Sequence, residues 1–196
     1  MFTSVITGNL VLIGVSIGSL SFTDVLDIAV AITCYLLAAA AAARFLHDRV
    51  PEGAVWSGAL TRILAAEALV QAVVLVLWEI APTNLVGGWP VDLARPALIG
   101  LCAVAMGVQS AAVRAVPGTG LSTTYLTGTL TALVSSFATG RRDGVGRAAG
   151  IGLLVTLLIG ASAEAALLHL VPRAGPALPL LATVLVTLGA TRLPRR

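Results

Sequence analysis

Glu67 and Gln71 are the side chains with the clearest potential for chemistry, because they interrupt an otherwise apolar stretch. Their four-residue spacing places both on one face of a helix. An acid at such a depth in an apolar helix could relay a proton or bind a cation. The structural alternative is an acid that is held by Gln71 or by a threonine of another helix, with no ion passing through it.

Gln109 and Glu164 are two further polar candidates within apolar stretches. Glu164 follows the small residues Gly160-Ala161-Ser162-Ala163, and it is a weaker candidate for function than Glu67 because it lies nearer the end of its stretch and could reach water. Gln109 precedes Pro117-Gly118-Thr119-Gly120, a segment that predicts a helix break. The break would place Gln109 near Thr127-Gly128-Thr129-Leu130, where its amide could contribute to a pathway for a solute. A structural role in hydrogen bonding between helices explains Gln109 equally well.

Two T-G elements form the second group of candidates. Thr7-Gly8-Asn9-Leu10 and Thr127-Gly128-Thr129-Leu130 lie about 120 residues apart. Glycine allows a helix to break inside a bilayer, and Thr or Asn side chains can satisfy the backbone groups that a break frees. The elements therefore suggest discontinuous helices whose ends face a solute. The alternative is close helix packing, of the kind that Gly14-x-x-x-Gly18 and Gly146-x-x-x-Gly150 suggest.

The elements that position these residues are predicted to be membrane-spanning helices. Hydrophobic residues make up 58% of the 196-residue chain and charged residues 11%, with a mean hydropathy of +0.99. A soluble domain has about 25% charged residues. The apolar residues also form blocks whose length suits a bilayer core about 30 Å thick. The blocks lie at about 3–21, 28–46, 60–81, 94–115, 122–138, 148–170 and 177–192.

We therefore predict an all-α fold, a polytopic transmembrane bundle of about six or seven helices that forms one integral membrane domain over residues 1–196. One order of elements occurs twice, because Leu46-His47 before Val50-Pro51 is matched by Leu168-His169 before Val171-Pro172. This predicts two related halves at about 1–82 and 93–193. The second half has an additional helix before its T-G element, so the first has either lost that helix or the natural start codon lies upstream.

The distribution of arginines bears on whether the halves are parallel or inverted. The arginines form three clusters along the chain. If all seven blocks span the membrane, the first cluster lies on the membrane face opposite to the other two, and the halves are parallel. If one T-G element is re-entrant, all three clusters lie on one face and the repeat is inverted. We favour the inverted arrangement because charge bias is the stronger topological rule. The clusters are Arg44, Arg49 and Arg62; Arg141, Arg142 and Arg147; and Arg192, Arg195 and Arg196.

Three motifs carry a resemblance to a known family. They are Val5-Ile6-Thr7-Gly8-Asn9-Leu10-Val11, Gly107-Val108-Gln109-Ser110-Ala111-Ala112 and Thr123-Thr124-Tyr125-Leu126-Thr127-Gly128-Thr129-Leu130. With them the chain resembles the YoaK-like family of bacterial multi-pass membrane proteins, whose defining domain has no assigned function. The resemblance implies an Asn where this chain has Ser110, so an amide is replaced by a hydroxyl that can still form hydrogen bonds.

Several kinds of chemistry lack the residues that they require. A retinal Schiff base needs a lysine, and the chain has none. An aspartyl intramembrane protease needs a buried pair of aspartates, but the aspartates of this chain fall in or beside the predicted loops. The G-x-S-x-G motif that positions a nucleophilic serine is also missing. His47 and His169 lie near helix ends without Cys or carboxylate at metal-ligand spacing. We therefore predict no enzyme activity, no cofactor, no metal and no nucleic-acid partner.

The functional prediction is an integral protein of the bacterial inner membrane that acts as a secondary transporter or permease for a small solute, with protons as one possible driving ion. Its predicted partners are the lipid bilayer and an unknown small solute or ion. The alternative is a non-transporting scaffold or accessory subunit. The candidate pathway residues are Thr7, Gly8, Asn9, Glu67, Gln71, Gln109, Thr127, Gly128, Thr129 and Glu164.

Overall fold

A computed structural model describes residues 6–19, 22–50, 56–80, 94–116, 126–139, 144–171 and 174–192. The longer elements of these ranges are all α-helices, which confirms the predicted helical membrane bundle. Each of the seven predicted blocks overlaps one helix, and the largest difference is at α2, which begins six residues before the block predicted at 28–46. The helices are α1 (Ile6–Gly18), α2 (Phe22–His47), α3 (Gly58–Ile80), α4 (Ala94–Ala115), α5 (Leu126–Ala138), α6 (Gly144–Leu170) and α7 (Ala177–Thr191).

Four helices are long and apolar enough to cross a membrane, namely α2, α3, α4 and α6. The other three are apolar but shorter, and α1 and α5 have 13 residues each. At 1.5 Å per residue, 13 residues reach about 20 Å, which is less than a hydrocarbon core about 30 Å thick. Each of these two short helices begins one residue before the threonine of a T-G element.

The chain forms two compact units, one of Met1–Pro117 with Pro176–Arg196 and the other of Gly118–Gly175. In the first unit, α4 packs against α2 and α3, while α3 also packs against α7 and α1 packs against α2. The second unit is the pair α5 and α6, in which Gly150 lies against the side chain of Leu133. These units divide the chain differently from the halves 1–82 and 93–193, and the repeat stays a prediction.

Small residues bring α2 and α4 together in the most extensive helix contact of the first unit. Ala31 and Ala103 are completely buried, and Ala42 and Ala111 are nearly so. Gly107 shows why a small residue is needed, since an added Cβ would lie 2.5 Å from the carbonyl oxygen of Tyr35. This is the close backbone approach that small residues allow between membrane helices.

A cluster of apolar side chains joins α3 to one end of the α2 and α4 pair. Leu46 near the end of α2 and Ala112 near the end of α4 pack with residues of the first two turns of α3. Leu60 at the centre of the cluster is completely buried, and Ser57 caps the helix by accepting a hydrogen bond from the Leu60 amide at 3.2 Å. The cluster fixes the start of α3, and with it the depth of every later residue on that helix.

Candidate functional site

Glu67 lies near the middle of α3 and is fully buried, with 0% of its surface exposed. It follows Gly58 by nine residues and precedes Ile80 by thirteen. The carboxyl therefore lies about 14 Å from the start of α3 and about 20 Å from its end. An ionisable group at this depth must face protein rather than lipid, as the burial of Glu67 shows that it does.

Two side chains hold one oxygen of this carboxyl. Nε2 of Gln71 donates a hydrogen bond of 2.8 Å to Oε1 of Glu67, one turn along the same helix. The hydroxyl of Thr183 on α7 donates a second, of 3.3 Å, to the same oxygen. The predicted shared face of Glu67 and Gln71 is thus confirmed. Gln71 and a threonine of another helix are also the two partners that were expected if Glu67 had only a structural role.

Two oxygens of this cluster have no hydrogen-bond donor among the described residues. They are Oε2 of Glu67 and Oε1 of Gln71, and both are buried from solvent. A buried acceptor without a donor costs about 1–3 kcal/mol. A proton on Oε2 of Glu67 would convert one of the two acceptors into a donor. The cluster can therefore hold a proton. Without one, the hydrogen-bonding capacity of the carboxylate is satisfied only at Oε1.

The first T-G element lies in the first turn of α1. Asn9 is completely buried and has an interaction partner of its own, so it is held in place. Ser16, two turns further on, is also buried. Gly14 and Gly18 have no neighbour among the described residues within 4 Å of an added Cβ, so the G-x-x-x-G pattern makes no close contact there. The side chain of Thr7 lies outside the described residues.

The second T-G element lies in the corresponding place on α5. Gly128 and Thr129 are partly buried, and Thr129 has an interaction partner. The side chain of Thr127 lies outside the described residues, as do residues 117–125. The re-entrant arrangement of this element stays a prediction.

The remaining two candidates are in different surroundings. Gln109 is exposed on α4, between the buried Val108 and the partly buried Ser110. Glu164 is partly buried on α6, and its Oε2 is a buried acceptor without a donor among the described residues. Gly175 packs on this part of α6, since its Cβ position lies 3.6 Å from Oε1 of Glu164. Unlike Glu67, Glu164 has no hydrogen-bonding amide or hydroxyl beside it in the described ranges.

Three polar residues with defined partners were missed by the sequence interpretation. Thr183 occurs in the otherwise apolar α7, where its recurrence with Thr187 and Thr191 at four-residue spacing was the available signal. Asp27 was assigned to a loop margin, yet it lies in the second turn of α2 and is buried. Its Oδ2 pairs with Nε of Arg95 on α4 at 2.9 Å. No sequence signal connects two residues so far apart.

Ser110 has a partner of its own across the α2 and α4 contact. The hydroxyl of Tyr35 donates a hydrogen bond of 2.9 Å to Oγ of Ser110. The hydroxyl of Ser110 therefore forms a link between helices at the position where the family resemblance implies an Asn.

In the described ranges, no three His, Cys, Asp or Glu side chains are grouped as metal ligands. The absence of a metal site from the whole chain stays a prediction.

Comparison with known proteins agrees with the motifs. A family described as "Protein of unknown function (DUF1275)" matches residues 1–190. The UPF0700 transmembrane protein YoaK of Bacillus subtilis (strain 168) is 30% identical over 139 residues, which is 70% of this chain and 56% of that protein. The matched region thus spans little more than half the length of that relative. No solved structure matches the chain. Because the family match covers nearly all of its length, this chain belongs to the DUF1275 family, YoaK-like membrane proteins of unknown function.

Proposed function

We propose that this protein is a secondary transporter or permease for a small solute in the bacterial cell membrane, and that Glu67 takes up and releases the proton that drives it. The observation that carries the proposal is the carboxyl of Glu67, which is buried at mid-helix with one oxygen hydrogen-bonded and the other without a donor among the described residues. Buried acids in membrane helices are costly and commonly belong to proton relays or ion pathways.

The arrangement around Glu67 favours a proton over a metal cation as the coupling ion. Gln71 presents its N–H group, and Thr183 its hydroxyl, to Oε1 of the carboxyl. Hard cations require several oxygen ligands that converge on one point, whereas these two groups use the carboxyl oxygen as an acceptor. A proton requires only one oxygen, and Oε2 is available for it.

Charged groups on the neighbouring helices lie near the helix ends. Arg95 and Arg114 are in the first and last turns of α4, Arg62 and Glu79 are near the two ends of α3, and α7 contains no titratable residue. Among the described residues, no basic side chain forms an ion pair with Glu67. A negative Glu67 would therefore lack a countercharge, which supports an exchange between protonated and charged forms during transport.

The second candidate function is a non-transporting scaffold or accessory subunit. The observation in its favour is the hydrogen bond between Thr183 and Glu67, which could serve only to join α7 to α3. In that case a neutral side chain of the same shape would replace Glu67 at little cost. Neither candidate involves a catalytic step, a cofactor or nucleic acid.

The two candidates differ in the behaviour of Glu67→Gln. Purified protein would be reconstituted into liposomes that contain a pH-sensitive dye, and amino acids, carboxylates, sugars, amines and inorganic ions would be added outside in turn. Glu79→Gln is the matched control, because Glu79 is an exposed acid near the end of the same helix. Correct folding of each variant would be checked by its thermal unfolding in detergent.

The transporter proposal expects one solute class to change the internal pH with wild-type protein and with Glu79→Gln, but not with Glu67→Gln. The scaffold alternative expects no solute-dependent proton movement with any of the three proteins. A Glu67→Gln protein that moved protons as fast as the wild type would contradict the role of Glu67, even if transport itself were found.

A further inference from the structure

The contacts along α2 and α4 show that these helices run in the same direction. Arg95 in the first turn of α4 pairs with Asp27 near the start of α2. Further along, Gly107 lies against the carbonyl oxygen of Tyr35. Near the other end, Ala112 of α4 shares an apolar cluster with Leu46 of α2. Residue numbers increase together on both helices, so their two starts lie at one membrane face.

Helix α3 runs in the opposite direction to both. Its first residues, Ala59 and Leu60, belong to the cluster of Leu46 and Ala112, and so they lie beside the ends of α2 and α4. The remaining turns of α3 extend from there, since Ile80 is twenty residues beyond Leu60. Twenty residues correspond to about 30 Å, which is enough to reach the other face. One end of the unit therefore combines the ends of α2 and α4 with the start of α3.

The two ends of this three-helix group differ strongly in charge. Among the described residues, the end that contains the apolar cluster, here called the arginine end, has four exposed arginines and one aspartate, Asp48. The described part of the opposite end, here called the acidic end, has three acids and one arginine, which is paired with Asp27. The arginines of the arginine end are Arg44, Arg49, Arg62 and Arg114, and the acids of the acidic end are Asp24, Asp27 and Glu79.

We infer that the arginine end faces the cytoplasm, where its four arginines lie among the anionic headgroups of the inner leaflet, and that the acidic end faces outwards. Arginine and lysine in short loops and helix ends are retained on the cytoplasmic side of bacterial membrane proteins. The negative surface potential of that leaflet also attracts them. Arg95, which is the arginine that the structure describes at the acidic end, is partly neutralised by Asp27 and does not outweigh the four.

This inference does not depend on transport, because it uses only the directions of α2, α3 and α4 and the positions of their charges. It also assigns a side to each half of the proton path. From Glu67, the shorter distance along α3, about 14 Å, leads to the cytoplasmic arginine end, and the longer, about 20 Å, leads outwards.

The test uses two aspartates at opposite ends of one helix. In protein with Cys34→Ala and Cys102→Ala, Asp24→Cys and Asp48→Cys would be introduced separately, and intact cells would be treated with a membrane-impermeant maleimide. Both aspartates are exposed, and they are 24 residues apart, or about 36 Å along α2. We expect Asp24→Cys to react in intact cells and Asp48→Cys to react only after the membrane is permeabilised.

A second pair on α3 covers the case in which either α2 variant fails to fold. Gly58→Cys lies at the arginine end, where Gly58 is exposed and an added Cβ meets no described neighbour within 4 Å. Glu79→Cys lies at the acidic end and should react in intact cells, whereas Gly58→Cys should not. Labelling of Asp48→Cys or Gly58→Cys from outside would overturn the inferred orientation. Labelling of both members of a pair from one side would show that the helix does not span.

A charge variant tests whether the arginines set this orientation. Arg44, Arg49, Arg62 and Arg114 would all be changed to Gln in the Asp48→Cys protein. We expect a measurable fraction of the molecules to react from outside, because the charge bias between the two ends is then removed. If Asp48→Cys stayed fully shielded in intact cells, the four arginines would not be what holds this end in the cytoplasm.

Discussion

The hydroxyl of Thr183 on α7 donates a hydrogen bond of 3.3 Å to Oε1 of Glu67 on α3, across 116 residues of sequence. Both side chains are buried, so the bond is formed away from water. It is a polar link between two helices that pack against each other. Hydrogen bonds between membrane helices are individually modest, because the alternative partners in the unfolded state also compete for them.

Thr183→Val tests this link. The substitution keeps the shape of the side chain but removes the donor, so we expect a loss of about 0.5–1.5 kcal/mol in the free energy of unfolding. Thr187→Val is the control, since the Thr187 hydroxyl donates to the backbone carbonyl of Thr183 within the same helix. Thermal unfolding in detergent measures both. A larger effect from Thr187→Val than from Thr183→Val would contradict the assigned role.

Glu67 and Gln71 should show strong energetic coupling. Glu67→Leu removes the acceptor of the Gln71 amide and leaves that donor buried without it. We expect each single Leu variant to lose about 1–3 kcal/mol, and the double variant to lose clearly less than the sum. Unfolding of the four proteins of this cycle gives the coupling energy directly. Strict additivity would mean that the 2.8 Å bond contributes nothing to stability.

Gly107 should not tolerate a side chain. An alanine Cβ would lie 2.5 Å from the carbonyl oxygen of Tyr35, so α2 and α4 would have to separate. Forced overpacking of this kind costs about 1–3 kcal/mol. Gly100→Ala is the matched control on the same helix, because its Cβ would meet side-chain atoms of Cys34 and Val30 at 3.3 and 3.4 Å. We expect Gly107→Ala, and not Gly100→Ala, to lower the unfolding temperature.

The ion pair of Asp27 with Arg95 should respond unequally to loss of its two members. The Asp27 side chain is 8% exposed and that of Arg95 is 56% exposed. Arg95→Gln leaves a buried carboxylate without its arginine, at a cost of about 1–3 kcal/mol. Asp27→Asn leaves a guanidinium that already reaches water, at a cost of less than about 1 kcal/mol. Equal effects on the unfolding temperature would show that Asp27 is not sequestered from solvent.

The locations of the helices were predictable from sequence because they depend on local composition. A run of apolar residues of bilayer length favours a helix whatever its neighbours are, and the block predicted at 94–115 coincides with α4. The block predicted at 28–46 is shorter than α2, which begins at Phe22, because Asp24 and Asp27 interrupt the apolar run near its start. The shared face of Glu67 and Gln71 was also predictable, since helical geometry alone places residues four apart next to each other.

Contacts between helices were not predictable in the same way. Thr183, Arg95 and Tyr35 acquire their partners only when helices distant in sequence pack together. Asp27 was misplaced because two acids near a helix start resemble a polar loop, although the ion pair with α4 allows the carboxyl to be buried. A single sequence gives no information on the distance between two helices, so these pairs could not be identified from it.

The sequence by itself determined that the chain is a bundle of membrane helices with a glutamate and a glutamine on one face of the third, because bilayer thickness and helical period act on neighbouring residues. The tertiary structure alone decided that Glu67 is bound by Thr183 and that Asp27 is buried beside Arg95. Such pairs form only where helices pack closely, as α2 and α4 do at Gly107, and this packing joins residues that are far apart in the sequence.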